Sequence, residues 1–189
     1  MAASDEAELA RMINTSVDIN DKPSAFRYPR GNGVGIELPP LNEKLEIGKG
    51  RVIKEGKKVA ILNFGARLQE CKLASENLKK KGINISIVDA RFAKPLDENL
   101  IWQISNDHEI VIAIEEGSIG GFGSHVSQLL LEKNLLDGNK KFRSLVFPDK
   151  FLDHDKPELM YKTAGLDAES IEIKILDALD SKILLKKNN

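Results

Sequence analysis

From residue 58 onward, short apolar runs alternate with longer stretches in which apolar residues recur every three or four positions. Short apolar runs closed by glycine or polar residues predict buried strands, and the longer spacing predicts helices with one buried face. The predicted strands are residues 59–64, 83–88, 110–114 and 142–147. The predicted helices are residues 67–80, 97–106 and 123–133, one starting at residue 155, and one running from residue 167 toward residue 185.

This alternation predicts the α/β fold class: a mostly parallel sheet with helices on both faces and right-handed crossovers. Ligands of such sheets bind where the strands reach their carboxyl ends. We therefore expect function at four short segments that follow the strands. They are residues 63–65, 89–91, 115–117 and 148–149.

The residues before this alternation follow a different pattern. Ser4 precedes an acidic turn and apolar positions at helical spacing, which predicts a helix capped by Ser4 that ends near residue 15. Residues 24–28 predict a short buried strand ended by Pro29. One helix and one strand cannot bury a core alone. We therefore predict three parts: a helix-strand remnant of another domain (1–33), a linker with a short hairpin and a possible strand at 50–54 (34–56), and the α/β domain (57–189).

The sequence RYPRGNG at the end of that predicted strand is the best candidate binding element. Arg27 and Arg30 flank Pro29, and Gly31 and Gly33 follow. A guanidinium on a glycine-rich turn can offer two parallel N–H donors to a phosphate while the backbone approaches closely. The alternative is an ordinary turn whose arginines pair with carboxylates of the same chain, and spacing alone favours that alternative.

A second glycine-rich segment, EEGSIGGFGSH, follows the predicted strand at 110–114. Read from Gly121, the dinucleotide-binding pattern fails, because Val126 stands where a third glycine or alanine is required. We predict a close-packed turn, with a backbone anion nest as the lesser alternative. Glu115 and Glu116 are successive strand residues and should point to opposite faces, so a structural or interface role is favoured over an acid-base pair.

Composition restricts the remaining possibilities. A net charge of -1 argues against nucleic-acid binding, which needs a basic face. No apolar run has the length of a membrane span, and the acidic start is unlike a signal peptide. Cys71 is the only cysteine, so the chain can form no internal disulfide, which favours a cytoplasmic protein. Its helical setting favours a half-buried small side chain rather than a nucleophile. The three histidines, His108, His125 and His154, lack the spacing of metal ligands, so no metal-binding residue is predicted. No catalytic or cofactor-binding residue is predicted either.

Several blocks of sequence, in order, resemble one enzyme family. They are PSAFRYPRGNGVG, KLEIGKGRVIKEGKKVAILNFGARL, VDARFAKPLD, EEGSIGGFGSHV, FPDKFLDHDKPE and the closing AGLDAESI. Together they resemble the C-terminal third of 1-deoxy-D-xylulose 5-phosphate synthase, from about Ser4 to Leu179.

The resemblance implies an enzyme that condenses pyruvate with glyceraldehyde 3-phosphate, with loss of carbon dioxide, on thiamine diphosphate and magnesium. Its product feeds isoprenoid precursors, thiamine and pyridoxal phosphate. By resemblance, residues 1–33 end the pyrimidine-binding domain, and the chain from about Lys57 is the transketolase-type C-terminal domain, which supplies packing and homodimer contacts. Arg30 matches the family arginine that binds the phosphate of glyceraldehyde 3-phosphate, whereas Arg27 is expected to be structural.

The match departs from the family in one important respect. The family's GDG metal motif with its asparagine, the glutamate that contacts the aminopyrimidine, and the histidine and aspartate that handle substrate have no counterpart in this sequence. They lie upstream in the family, so we expect this chain alone to be inactive and not to bind thiamine diphosphate. The alternatives are a non-catalytic assembly or regulatory module and a subunit of a split transketolase-like enzyme.

Overall fold

A single sheet forms the centre of the protein. The computed structural model describes the backbone of residues 1–186 and the side chains of residues 1–179. Within that range the sheet has five strands in the order β1-β3-β2-β4-β5. The strands are β1 (Arg51–Lys54), β2 (Lys58–Phe64), β3 (Ser86–Asp89), β4 (His108–Glu115) and β5 (Lys141–Leu145). Only β1 runs antiparallel to its neighbour, so the predicted mostly parallel sheet is confirmed.

Helices cover both faces of the sheet, as predicted. They are α1 (Glu6–Val17), α2 (Leu68–Lys80), α3 (Glu98–Asp107), α4 (Phe122–Glu132), α5 (Pro157–Ala164) and α6 (Ala168–Lys186). Strand register places Ile61 beside Ile87 and Ile112, and these three side chains are buried with α2 and α6. Their sequence neighbours point the other way and are buried with α3 and α4: Leu62, Val88 and Ala113. No helix in the described part of the chain combines the length and the hydropathy of a membrane span.

Two predictions about the first 57 residues are wrong. Residues 24–28 form no strand; they are largely exposed, and Arg27 makes a single parallel bridge with Ala2. The segment's backbone partners among the described residues are residues 1–3, which belong to no strand of the sheet. The predicted hairpin is also absent from residues 34–57. β1 pairs with β3 instead, because Lys57 donates its N–H to the Asn84 carbonyl at 2.9 Å and leads the chain past β3 into β2.

The cap of α1 also differs from the prediction. Asp5, in extended conformation, accepts the N–H of Glu8 at 2.8 Å and caps the helix. The Ser4 hydroxyl donates to the Asp89 carboxylate at 2.7 Å instead, since Ser4 lies one residue too early to reach the first free N–H groups. The capping residue of α3 is Asp97, as predicted, and it accepts the Leu100 N–H at 3.1 Å.

A buried network of charges holds α1 against the carboxyl end of β3. The Glu8 carboxylate is fully buried and lies 2.7 Å from Arg91 and 3.0 Å from Arg51. Arg51 also donates to Asp89 at 3.0 Å. Burial raises the pKa of the Asp89 carboxyl, and the hydrogen bond from Ser4 and the charge of Arg51 oppose that rise. The N-terminal helix is therefore joined to the sheet by ion pairs as well as by apolar packing.

Candidate functional site

The carboxyl ends of β2, β3 and β4 lie side by side, because Phe64 is in register with Glu115 and Asn63 with Asp89. Two short N-terminal segments lie across this edge, since the Ala2 N–H donates to the Arg91 carbonyl and the Arg27 N–H to the Met1 carbonyl. They enclose a small cavity of about 140 Å³. Its walls are Ala2, Ala3, Arg27, Tyr28, Gly65, Ala66 and Glu116.

Arg27 is fixed by contacts within the chain. Its Nη2 lies 3.2 Å from Oε2 of Glu115, whose side chain is only 2% exposed. The guanidinium also lies 4.9 Å above the ring of Phe64, which stacks on Phe122 with ring centroids 4.8 Å apart. A cation held between a carboxylate and an aromatic face is favourably placed. This geometry agrees with the structural role expected for Arg27.

The glycine-rich turn between β4 and α4 closes around the Glu115 carboxylate. The Gly123 N–H donates to Oε1 of Glu115 at 3.0 Å. A Cβ at Gly117 would lie 2.4 Å from Oε2, and one at Gly121 would lie 2.6 Å from both carboxylate oxygens. The predicted close-packed turn is confirmed, and the anion that this turn accommodates is a side chain of the protein itself.

Glu116 has a different set of partners from Glu115. It is not a strand residue as predicted, because β4 ends at Glu115 and Glu116 lies in the bend that follows. Its Oε1 lies 2.8 Å from Nε of Arg67, although the two atoms are not aligned for a hydrogen bond. The Arg67 guanidinium lies 3.6 Å above the ring of Tyr161, which belongs to α5. Burial, followed by the charge of Glu116 and a hydrogen bond to it, raises the pKa of Tyr161 to about 12. Arg67 and Tyr161 are not predicted from the sequence, because no local pattern relates residues so far apart.

Arg30 has no such contacts. Its side chain is exposed, and within the described part of the chain no residue forms an ion pair or hydrogen bond with it. A Cβ added at the adjacent Gly31 would have no atom within 4 Å, so the space beside Arg30 is open. An ion pair with a carboxylate of the same chain, the alternative considered for both arginines, is therefore formed by Arg27, whereas Arg30 forms none within the described structure.

The remaining candidates have structural surroundings. The ring of His108 is buried, with Nε2 2.7 Å from the Ser86 hydroxyl and Nδ1 2.8 Å from the Ile104 carbonyl. His125 borders an apolar cleft of about 680 Å³, and His154 is exposed. Cys71 is fully buried rather than half-buried, and burial raises the pKa of its thiol far above the usual value. Among the described residues, no group of three or more metal-ligating side chains is arranged to hold a metal ion.

Comparison with known proteins identifies related domains. The family model for transketolase, C-terminal domain, matches residues 48–171. A solved structure described as a split gene transketolase, inactive β4 tetramer, aligns with a TM-score of 0.66 at 28% identity, covering 76% of this chain and 46% of that chain. A transketolase from Campylobacter jejuni subsp. jejuni NCTC 11168 aligns with a TM-score of 0.49 at 16% identity, covering 69% of this chain and 18% of that chain. This chain therefore spans less than half the length of either structure.

Proposed function

This chain belongs to the transketolase C-terminal domain family, and on that premise we propose that it is the C-terminal part of a thiamine-dependent enzyme of the 1-deoxy-D-xylulose 5-phosphate synthase type. The whole enzyme would condense pyruvate with glyceraldehyde 3-phosphate. The observation that carries the proposal is Arg30, an arginine without a partner among the described residues, three residues beyond the anchored Arg27.

In this proposal Arg30 binds the phosphate of glyceraldehyde 3-phosphate. Its guanidinium can donate two parallel N–H groups to phosphate oxygens, which a lysine cannot reproduce. Pro29 restricts the backbone before Arg30, and the open space at Gly31 lets a phosphate come close to the chain. Because Arg30 is already free of carboxylates in the described structure, binding need not break an internal ion pair.

Thiamine diphosphate and magnesium are the cofactors that this function implies for the whole enzyme, and the described residues do not fit them. No cluster of metal ligands occurs among these residues, and the glycine-rich turn that could hold a diphosphate is closed around Glu115. We therefore propose that cofactor and metal bind to parts of the enzyme that this chain does not contain. The chain alone should then be catalytically inactive and should bind neither.

An NMR titration of the purified chain tests the proposal. Glyceraldehyde 3-phosphate should shift the resonances of residues 27–33 saturably in the wild type, and Arg30→Gln should abolish those shifts. Arg143→Gln is the matched control, because Arg143 is also exposed and its guanidinium contacts only the neighbouring Phe142 carbonyl in the described structure. Binding that survives Arg30→Gln would refute the phosphate site. A saturable response to thiamine diphosphate with magnesium would refute the cofactor proposal.

A second candidate is a subunit of a split enzyme, or a non-catalytic assembly module. It is favoured by the similarity to a structure described as a split gene transketolase in an inactive β4 tetramer. Under this proposal the chain self-associates, as a homodimer or higher oligomer, and supports activity only with a second chain that carries the cofactor-binding domains. Sedimentation at micromolar concentration should show the oligomer, and a strictly monomeric chain would contradict it. Recovery of condensation activity on mixing with such a chain would favour this candidate over an inactive assembly module.

A further inference from the structure

The turn that carries Arg30 is held at both ends by a carboxylate. Glu115 holds Arg27 before the turn, and Glu6 binds the backbone that follows it. We propose that Glu115 and Glu6 are positioning residues that fix residues 28–33 so that Arg30 can receive a phosphate group. The inference rests on the proposed function of Arg30 and assigns roles to two residues that never touch the ligand.

The first anchor is rigid because Glu115 is itself fixed. Its carboxylate accepts the Gly123 N–H and fits against Gly117 and Gly121, where no larger residue could stand without displacing it. The Arg27 backbone is held as well, since its N–H donates to the Met1 carbonyl and its carbonyl accepts from Ala3, each at 3.1 Å. The start of the turn is therefore fixed in position and direction relative to the edge of the sheet.

The second anchor is a single carboxylate that accepts several backbone N–H groups. Glu6, in the first turn of α1, accepts the N–H groups of Val34 at 3.0 Å, Gly35 at 2.6 Å and Ile36 at 2.8 Å. A Cβ at Gly33 would lie 2.7 Å from the Glu6 carboxyl carbon, so glycine permits this close approach. Backbone hydrogen bonds, its own N–H first and then that of Val34, lower the pKa of the Glu6 carboxyl, which keeps it ionised near neutral pH.

The residues between the anchors depend on them. In the described structure, residues 29–33 are exposed and make no backbone hydrogen bonds to other segments. A free turn of this kind would have to be ordered when a phosphate binds, and that ordering lowers affinity. Because both ends of the turn are fixed before the phosphate binds, much of this entropic cost of ordering is avoided. Loss of either anchor should therefore weaken phosphate binding by about three- to tenfold while Arg30 itself is intact.

The test compares Glu115→Gln and Glu6→Ala with the wild-type chain, using glyceraldehyde 3-phosphate and inorganic phosphate as probes. Both variants should show a higher Kd and lower heteronuclear NOE values for residues 28–33. Glu6→Gln keeps an acceptor oxygen and should restore part of the affinity. Glu169→Gln is the control, because its carboxylate is 70% exposed and pairs with Lys162 on the surface. Glu6 is also at the surface, so its variants remain informative if Glu115→Gln fails to fold.

The outcomes separate this inference from the proposed function. If phosphate binds the wild type and Arg30→Gln abolishes binding, but Glu6→Ala and Glu115→Gln bind as tightly as the wild type, the positioning role is refuted and the phosphate site stands. If Arg30→Gln leaves binding unchanged, the phosphate site itself is refuted. Unchanged NOE values for residues 28–33 in both anchor variants would refute the positioning role even without a ligand.

Discussion

Replacement of Gly117 by alanine should displace the carboxylate on which the glycine-rich turn is built. The new methyl carbon would lie 2.4 Å from Oε2 of Glu115, 2.9 Å from its Cδ and 3.3 Å from Nη1 of Arg27. The backbone of Gly117 does not require a positive φ, so the cost arises from this contact and not from strain in the chain. The carboxylate cannot retreat without cost, because its Oε1 accepts the Gly123 N–H at 3.0 Å.

The size of the effect follows from what Glu115 loses. A displaced carboxylate gives up the N–H of Gly123 and its pairing with Arg27 while remaining in a site that is 2% exposed. Separating a buried charge from its partner costs about 3–5 kcal/mol. The Arg27 side chain is 44% exposed, so water compensates in part, and we expect a loss of about 2–3 kcal/mol in the free energy of unfolding. In a chain of this length that corresponds to a fall in Tm of about 4–12 °C.

Urea denaturation followed by far-UV circular dichroism measures this loss. Gly31→Ala is the matched control, because its Cβ would meet no atom within 4 Å, and its stability should stay within about 0.5 kcal/mol of the wild type. In a Glu115→Ala background the carboxylate is gone, so Gly117→Ala should cost at least about 1 kcal/mol less than it does alone. Displacement of Glu115 is refuted if Gly117→Ala is as stable as Gly31→Ala, or if the effects of Gly117→Ala and Glu115→Ala are simply additive.

Three further predictions follow from buried or shifted groups. Because the pKa of Tyr161 is raised to about 12, its phenol should titrate near pH 12 when absorbance is followed at 295 nm. The stability contributed by the neutral phenol should be complete below pH 10 and should be lost as the pH rises through 12. Tyr161→Phe should abolish both effects, and their persistence in that variant would exclude Tyr161 as their source. Glu8→Gln should cost about 3–5 kcal/mol in urea denaturation, because it removes a fully buried carboxylate from the half-buried Arg51 and Arg91. Glu169→Gln should be neutral, and equal stabilities of the two variants would contradict this. Iodoacetamide should modify Cys71 only in denaturant, and rapid modification of the native chain would show that the thiol is accessible.

The sequence predicts the α/β part well because its signals are local. The apolar run at 59–64 differs from β2 by one residue, and the mostly parallel sheet follows from the alternation alone. The failures concern contacts between distant segments. Residues 24–28 look like a strand, but their backbone hydrogen bonds within the described part of the chain go to the segment around Ala2 and not to the sheet, and nothing in the local sequence predicts that arrangement. A possible strand at 50–54 is predicted from the sequence, but its antiparallel pairing with β3 is not, because pairing across a sheet edge is not encoded in either strand by itself.

The candidate site divides in the same way. Arg27 and Arg30 are candidates from the sequence because arginines on a glycine-rich turn can offer paired N–H donors to phosphate, although spacing alone favours an ordinary turn with internal ion pairs. Spacing alone could not predict which arginine is free, because Glu115 lies 88 residues away from Arg27 in the chain. Only the resemblance to the synthase family implied a structural role for Arg27 and phosphate binding for Arg30. The glycines of the turn at 117–123 were correctly interpreted as close-packed, but the group that they pack against became visible only in three dimensions.

The long separation between the paired charges has a consequence for the kinetics of unfolding. Arg27 and Glu115 are 88 residues apart, and Arg91 and Glu8 are 83 apart, so each pair closes a large part of the chain. Contacts between such distant residues carry a high loop-closure entropy, and we expect them to form after the folding transition state. Interactions absent from the transition state slow unfolding without accelerating folding. These ion pairs should therefore lower the unfolding rate, and so set the lifetime of the native state, without forming part of the folding nucleus.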